Sequence, residues 1–450
     1  MKESPTHVTE WCDALKLNRF HIMLLTLAGL TLVFDGYDRE VIAYIMPQIM
    51  KEWNLSPIKL GSIASYGFIG LLIGAALFGM IADYIGRKKT LILALIDFSL
   101  FSGFAYWAPS FSSFCVLRFL AGLGMGGAMP LTITLVSEYA PSRIRGKAVT
   151  AMFGGFTLGW AVAALAAMIL IPLFGWRIVL LMGMLPILLI PVLVAYLPES
   201  FRFLVNRGRY SDAVKEIRKV EKAAGVAPVN WTEEGLQLPA AQRGGSLKDL
   251  FRHNLMIMTI MVWLTYFFNL LINAALATWL PTLLVNAGYS VKRSYSYALV
   301  QAIGSSLGAL MLGWAMDKFG RKGGLIMAYI LGGVAVGLFG MTSNGLTLYV
   351  LATATGVFII GAQTAQHVVT GEIYPTNIRS TGVGWALTVG RLGSVSGPLL
   401  GGILQVAGFS FKQYFMVFAL PCFLCAFLVL NYRVNVKHEA LESVTAKLKV

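Results

Sequence analysis

The sequence predicts an all-α integral membrane protein, with twelve transmembrane helices in two pseudo-symmetric six-helix halves. Three observations carry this: apolar runs long enough to span a bilayer, a repeat at a fixed offset, and basic residues gathered in alternate loops. Of the 450 residues, 57% are hydrophobic and only 13% charged. A soluble chain of this size needs far more charge to cover its surface. A spanning helix needs about 20 mostly apolar residues. Twelve runs qualify, at about 20–47, 60–82, 90–108, 112–136, 147–172, 176–197, 254–286, 294–316, 324–342, 346–370, 380–405 and 413–432.

The repeat pairs the first six runs with the last six. GMIADYIGRK at 79–88 returns as GWAMDKFGRK at 313–322, 234 positions later. Glu138, Pro141 and Arg145 return as Glu372, Pro375 and Arg379 at the same offset. Two parallel halves of one hydrophobic bundle are the organisation of a duplicated membrane transporter. The expected divisions are a cytoplasmic N-terminus (1–19), a first half (20–197), a cytoplasmic connecting loop (198–253), a second half (254–432) and a cytoplasmic C-terminus (433–450). Residues kept in both copies serve the shared scaffold. Polar residues present in one copy are the better functional candidates.

The net charge of +15 is a topology signal, not a nucleic-acid footprint. Arg87/Lys88/Lys89, Arg143/Arg145/Lys147, Lys318/Arg321/Lys322 and Arg379 fall in alternate short loops. The intervening loops hold only Lys51/Glu52/Lys59, Arg177, Lys292/Arg293 and Lys412. Lys and Arg concentrate on the cytoplasmic side, which orients the chain with both termini inside. The first residues lack the pattern of a cleavable signal. Cys422 and Cys425 are spaced CxxC inside an apolar run with no His or further Cys nearby, so they read as helix-packing residues, without metal or redox chemistry. The stretch 198–225 reads as one or two amphipathic helices ended by Gly225, the start of the tether between the halves.

In the repeated loop, Gly79 and Gly313 are expected to let a neighbouring helix approach closely. Asp83 and Asp317 can pair with an Arg or accept from a helix N-terminus. Gly86 and Gly320 permit a tight turn, and Arg87 and Arg321 hold the loop inside. With Glu138, Arg145, Glu372 and Arg379, these residues form a candidate cytoplasmic gate; the alternative is a purely topological basic loop. This doubled pattern resembles the major facilitator superfamily over nearly the whole chain. RFLAG at 118–122 resembles its fourth-helix Arg motif, and PESFRFL at 198–204 the end of its sixth helix in solute-importing branches. FDGYD at 34–38 matches the DGxD pattern of the aromatic acid:proton symporter family, and 371–402, with GPLLGG, is similar to that family's tenth-to-eleventh helix region. The resemblance implies alternating access, two halves rocking about a midplane site, and uptake of a small aromatic carboxylate such as a hydroxybenzoate with a proton. A muconate-like acid, or a sugar or organic cation carried on the same fold, stays open.

Adding 234 sends Asp35 to Asn269, Asp38 to Ile272 and Arg118 to Ala352; subtracting it sends Arg391 to Thr157 and His367 to Ile133. Asp35 and Asp38 lie roughly 22 and 27 Å along the first helix, Arg118 about 9 Å into the fourth from its other side, and Arg391 about 16 Å into the eleventh. Asp38 and Arg118 can therefore meet. Ionisable groups at such depth mark pathways and need partners. A buried carboxyl can load and release a proton, while Arg391 suits a carboxylate held bidentately. Asp35, Asp38 and Arg118 are assigned to proton coupling and Arg391 to substrate binding; static ion pairs fixing the helices are the alternative. Tyr266, Asn269 and Asn273 share one helical face and read as a polar cavity wall. Gln301 and Gln363 are candidate hydroxyl or carboxylate partners, and Trp385 and Phe34 candidate ring-stacking residues. His367 and Asp97 are left without an assigned role. No cofactor is expected beyond a proton gradient. The expected partners are a small organic acid, protons and lipid, with no nucleic acid, in a monomer that is no enzyme and sits in a bacterial inner membrane.

Overall fold

The computed structural model describes residues 7–237, 246–252, 255–375 and 377–432. Among these, every regular element is helical. Twelve long helices run in chain order. The first six are α1 (Arg19–Glu52), α2 (Pro57–Ile85), α3 (Arg87–Trp107), α4 (Phe111–Tyr139), α5 (Ser142–Phe174) and α6 (Ile178–Tyr196). The second six are α7 (Leu255–Asn286), α8 (Val291–Phe319), α9 (Arg321–Phe339), α10 (Gly345–Ile373), α11 (Arg379–Val406) and α12 (Phe411–Leu430). Ten are long and apolar enough to cross a membrane, and α8 is an eleventh when its two bent pieces are joined. The remaining helix, α11, is glycine-rich and carries Arg391, which dilutes its hydropathy without shortening it.

Polar residues start these helices at their loops. Ser110, Ser290 and Ser410 each accept a backbone N–H from the first turn of α4, α8 and α12, satisfying donors that have no partner within the helix. Gly86 and Gly320, with φ of +101° and +82°, make the sharp entries to α3 and α9, a backbone region that side chains disfavour. The connecting stretch forms two short helices, Phe201–Asn206 and Tyr210–Ala224, and Gly225 ends the second with φ of +68°. All four cysteines are free and buried.

The repeat extends to the backbone contacts. A Cβ on Gly70 would lie 2.1 Å from the carbonyl oxygen of Phe119, and one on Gly304 2.5 Å from that of Thr353. Gly74 meets Leu123 as Gly308 meets Val357, and Gly159 meets Val33 as Gly393 meets Phe267. Every one of these pairs is related by the same 234-residue offset. So α2 packs on α4 and α1 on α5 by backbone-to-backbone approach, and α8 on α10 and α7 on α11 repeat the arrangement. Without a hydrophobic driving force between helices in lipid, such close approach is what holds them.

The glycines expected to do this, Gly79 and Gly313, do not: a Cβ at either would meet nothing within 4 Å. Their neighbours Phe78 and Leu312 make the contacts with α4 and α10, so these two glycines lie on a different side of their helices. By contacts the chain forms two compact units that interleave in sequence. One holds 1–39, 69–162 and 177–241; the other holds 40–68, 163–176 and 242–450. Thus α1 and α2 each contribute one part to each unit.

Substituting Gly74 with Ala places a methyl group 2.0 Å from the Leu123 carbonyl oxygen, an overpacking that costs about 1–3 kcal/mol. Gly79→Ala, in open space, is expected to be neutral or to stabilise by about 0.5–1 kcal/mol. Thermal unfolding of the two purified variants in one detergent checks the order; equal stability would refute the packing role of Gly74.

Candidate functional site

In the first unit the buried centre is an ion pair. Asp38 on α1 and Arg118 on α4 are both almost fully enclosed. Arg118 Nη1 donates to Asp38 Oδ2 at 3.0 Å and to Oδ1 at 3.2 Å, and Nη2 donates to the Asp38 backbone carbonyl at 3.3 Å. One guanidinium thus clasps both the carboxylate and its own peptide. The depth estimate that let these two residues meet holds. Asp35, one turn earlier and equally buried, lies 3.6 Å from Arg39 Nη2. Arg39, absent from the sequence-based candidates, stacks its guanidinium over Phe156 of α5 at 4.8 Å. Phe34 is half-buried. Asp97 on α3 lies beside Gly124 of α4, where a Cβ would be 2.7 Å from its Oδ2.

The counterparts of the ion pair in the second half are Ile272 and Ala352, both fully buried. At these two positions of the equivalent α7–α10 junction, apolar side chains take the place of the ion pair. A buried ion pair is often no more stabilising than a hydrophobic replacement, because desolvation offsets the attraction.

In the second unit the polar residues line up between α7 and α10. The Tyr266 hydroxyl and His367 Nδ1 are 2.8 Å apart. Asn269 donates to the Ile359 carbonyl at 3.2 Å, and Asn273 to Gln363 Oε1 at 2.9 Å. The shared face of α7 that the spacing predicts is present, and it meets α10. Tyr266 and Asn269 are enclosed by that contact, while Asn273 and Gln363 stay half-buried. Ile359 belongs to a single π-helical turn, Gly356–Ile360, of a kind that sets backbone carbonyls out of the ordinary ladder. Gln301 donates to Thr355 Oγ1 at 3.3 Å. Trp385 stacks on Trp263 with centroids 6.3 Å apart and an interplanar angle of 29°. Arg391 is half-buried on α11, one residue past Gly390, which lies against Tyr266 and Leu270 of α7.

The repeated loops make ion pairs within themselves. Arg87 pairs with Asp83 at 2.9 Å, and Arg321 with Asp317 at 3.6 Å, each one turn apart on the chain. Both aspartates are mostly exposed, at 69% and 77%, so the helix N-terminus beside Asp83 is capped by another group. That group is Glu199, whose Oε1 accepts from the Arg87 and Lys88 backbone N–H groups at 2.8 and 3.0 Å. The two copies then diverge. Glu138 accepts from the Ser200 hydroxyl at 2.5 Å, whereas Glu372 pairs with Arg321 Nε at 3.0 Å. Arg145 lies 3.6 Å from Asp13, and Arg379 donates to the Tyr374 carbonyl at 3.4 Å. Glu199 and Ser200 belong to the PESF sequence at the end of α6, which was the available signal for them. Among the described residues no cluster of His, Cys, Asp and Glu could hold a metal ion.

Twelve long helices, eleven of them apolar enough to cross a membrane when α8 is counted as one span, with an ion pair buried among them, define a multi-pass membrane protein. The chain belongs to the family described as sugar (and other) transporters, which matches residues 24–447, within the major facilitator superfamily. It is 35% identical to the niacin transporter of Acinetobacter baylyi over 96% of this chain and 98% of that protein. It is also 35% identical to the 4-hydroxybenzoate transporter of Pseudomonas aeruginosa, over 94% of this chain and 95% of that protein. In fold it is similar to the inward-open xylose transporter of E. coli, with a TM-score of 0.74 at 20% identity, covering 95% of this chain and 99% of that one.

Removing one partner of a buried ion pair leaves an uncompensated charge and costs about 3–5 kcal/mol, whereas replacing both with apolar groups of like volume is far milder. Arg118→Met should therefore lower thermal stability sharply, and Asp38→Leu added to it should recover most of the loss. A double variant no more stable than Arg118→Met would contradict the comparison with Ile272 and Ala352.

Proposed function

We propose that this protein imports a small aromatic carboxylate, of the hydroxybenzoate or niacin kind, by proton symport through alternating access. It would lie in a bacterial inner membrane, both termini cytoplasmic, as a monomer with the proton gradient as its only energy source. The observation that carries this reading is that relatives matching almost the entire chain are named for niacin and 4-hydroxybenzoate, both ring-borne carboxylic acids.

The residue chemistry supports the same reading. Asp38 and Asp35 are the proton carriers. Protonation of Asp38 neutralises the carboxylate that Arg118 clasps, weakens the charge-assisted bonds between α1 and α4, and so ties helix contact to proton occupancy. Arg391 anchors the substrate carboxylate. Asn273, Gln363, Asn269, Tyr266 and Gln301 supply polar partners for ring substituents, and Phe34 and Trp385 offer aromatic faces. The loops around Gly79, Asp83, Gly86 and Arg87, and around Gly313, Asp317, Gly320 and Arg321, serve as gates with Glu138, Arg145, Glu372 and Arg379. That the ion pair gives way to apolar packing in the second half argues for a working role, since helix packing alone does not require it.

Reconstituted into liposomes, the protein should accumulate 4-hydroxybenzoate or niacin when the outside is acidified, and should equilibrate it without concentrating it when no gradient is imposed. Accumulation that ignores the proton gradient would sink the symport reading. Asp38→Asn is expected to lose gradient-driven accumulation at least tenfold while retaining substrate exchange. Lys cannot reproduce the bidentate fork of Arg, so Arg391→Lys should raise KM roughly tenfold or more with a smaller effect on kcat. Unchanged affinity in Arg391→Lys would remove that residue from the substrate site.

A further inference from the structure

Beside the ion pair stands a third polar residue that the function above does not use. Ser102 on α3 is fully buried. Its hydroxyl donates to Asp38 Oδ1, and its oxygen accepts from Arg118 Nη1 at 3.2 Å. A lone hydroxyl in an apolar helix usually bonds back to a carbonyl of its own preceding turn. Ser102 instead bonds across to two other helices.

The neighbouring helix is shaped around it. α6 is not continuous: its first turn ends at Met182, a break follows at Gly183 and Met184, and a 3₁₀ segment runs from Leu185 to Leu189. A Cβ on Gly183 would lie 2.8 Å from the Ser102 hydroxyl oxygen. Just ahead of the break, the Val179 carbonyl accepts the Tyr37 hydroxyl at 2.7 Å, fixing α1 beside Asp38. Irregular backbone at membrane depth is tolerated where protein surrounds it, and here it leaves room for one hydroxyl.

The repeat supplies a control. At the same offset Asp38 becomes Ile272, Arg118 becomes Ala352, Ser102 becomes Val336 and Gly183 becomes Val417. All four positions change together, from a charged pair with a hydroxyl and a space to four apolar side chains. Ser102 and Gly183 thus belong with the charges and not with the shared scaffold.

We propose that Ser102 is a positioning residue for proton coupling: its hydroxyl donates to the ionised carboxylate of Asp38 and sets the pH at which that carboxylate takes up its proton. The inference rests on the reading of Asp38 as proton carrier. Around Asp38 the charged and titratable groups are Arg118 from α4 and, on α1 itself, Arg39, Tyr37 and Asp35. α3 contributes the Ser102 hydroxyl, and α6 has no ionisable side chain between Ile178 and Ala195. A hydrogen bond donated to the charged form favours that form. Deleting the hydroxyl therefore lets the proton bind at higher pH. A bond to a charged group is strong enough for the shift to be about one pH unit.

The test measures uptake rate against external pH in liposomes for the wild type, Ser102→Ala, Ser102→Cys and Asp38→Asn, each normalised to the amount of protein inserted. Alongside it, the infrared carbonyl band of protonated Asp38, assigned by its loss in Asp38→Asn, is titrated in detergent and needs no transport. Ser102→Ala should move the alkaline limb of uptake and the infrared midpoint together, upward by about one unit. Ser102→Cys, a weak donor of nearly the same size, should fall between. Gly183→Ala, which crowds the hydroxyl without deleting it, should shift the midpoint the same way. A lower rate at every pH with unmoved midpoints would make Ser102 merely structural and overturn the proposal while Asp38 kept its role. If Asp38→Asn keeps the wild-type pH dependence, the reading of Asp38 itself fails, and this inference falls with it.

Discussion

An ionised carboxylate taken out of water must be compensated or it will not stay ionised, and that constraint organises the first half of this protein. Asp38 is enclosed between α1, α3, α4 and α6. Arg118 meets it with one nitrogen on the carboxylate and another on the peptide. Ser102 donates to the carboxylate's Oδ1 from a third helix, and α6 breaks at Gly183 where any residue with a Cβ would crowd that hydroxyl. Each feature is unfavourable alone: a buried guanidinium, a hydroxyl among apolar side chains, an interrupted membrane helix. Together they satisfy one another, and partly satisfied buried networks are the costly case.

The scaffold that carries this network is indifferent to it. The contacts of Gly70, Gly74 and Gly159 recur at Gly304, Gly308 and Gly393 against the equivalent carbonyl oxygens, although one half encloses an ion pair and the other Ile272 and Ala352. Backbone-to-backbone approach depends on the absence of a Cβ, not on what fills the space nearby. The duplicated architecture can therefore persist while the polar chemistry diverges. In the second half the polar contacts occupy other positions of the equivalent seam, α7–α10, where Asn269, Asn273 and Tyr266 meet a π-turn carbonyl, Gln363 and His367.

The legible part of this was what periodicity and offset encode. Twelve apolar runs became twelve helices, and counting 1.5 Å per residue brought Asp38 and Arg118 to one depth before any contact was known. The shared face of Tyr266, Asn269 and Asn273 followed from their spacing. Less visible were groups whose role depends on a partner from elsewhere. Ser102 is one hydroxyl in an apolar run, with no period to betray it. The interruption of α6 did have a signal, in Pro186 and Pro191, because proline removes a ladder donor. Gly79 and Gly313 misled because they recur in both halves, yet recurrence marks a shared loop and not a helix contact. The Glu199 cap escaped because its partner N–H groups lie more than a hundred residues away.

The GPLLGG run of α11 also gains a physical account. Within the second unit, Gly61 of α2 lies against the Pro398 carbonyl oxygen and Gly402 against that of Pro57, each too close for a Cβ. Ser65 donates to the Val395 carbonyl at 2.7 Å, and Trp279 to that of Pro398 at 2.9 Å. This seam joins helices from the two sequence halves and does not recur at the offset, where Gly61 becomes Tyr295 and Gly402 corresponds to Met168. Further along, α2 turns its other glycines, Gly70 and Gly74, towards α4. One helix thus carries two small-residue seams, and its membership of the compact units changes at residue 69, between Ser65 and Gly70. The seam on α4 is repeated scaffold. The seam on α11 rests on one side-chain hydrogen bond, from Ser65 to the Val395 carbonyl, worth about 1 kcal/mol, and on close backbone approach at Gly61 and Gly402. A joint of that kind can part and re-form without repacking a core, which is the property an alternating cycle demands of one of its two ends.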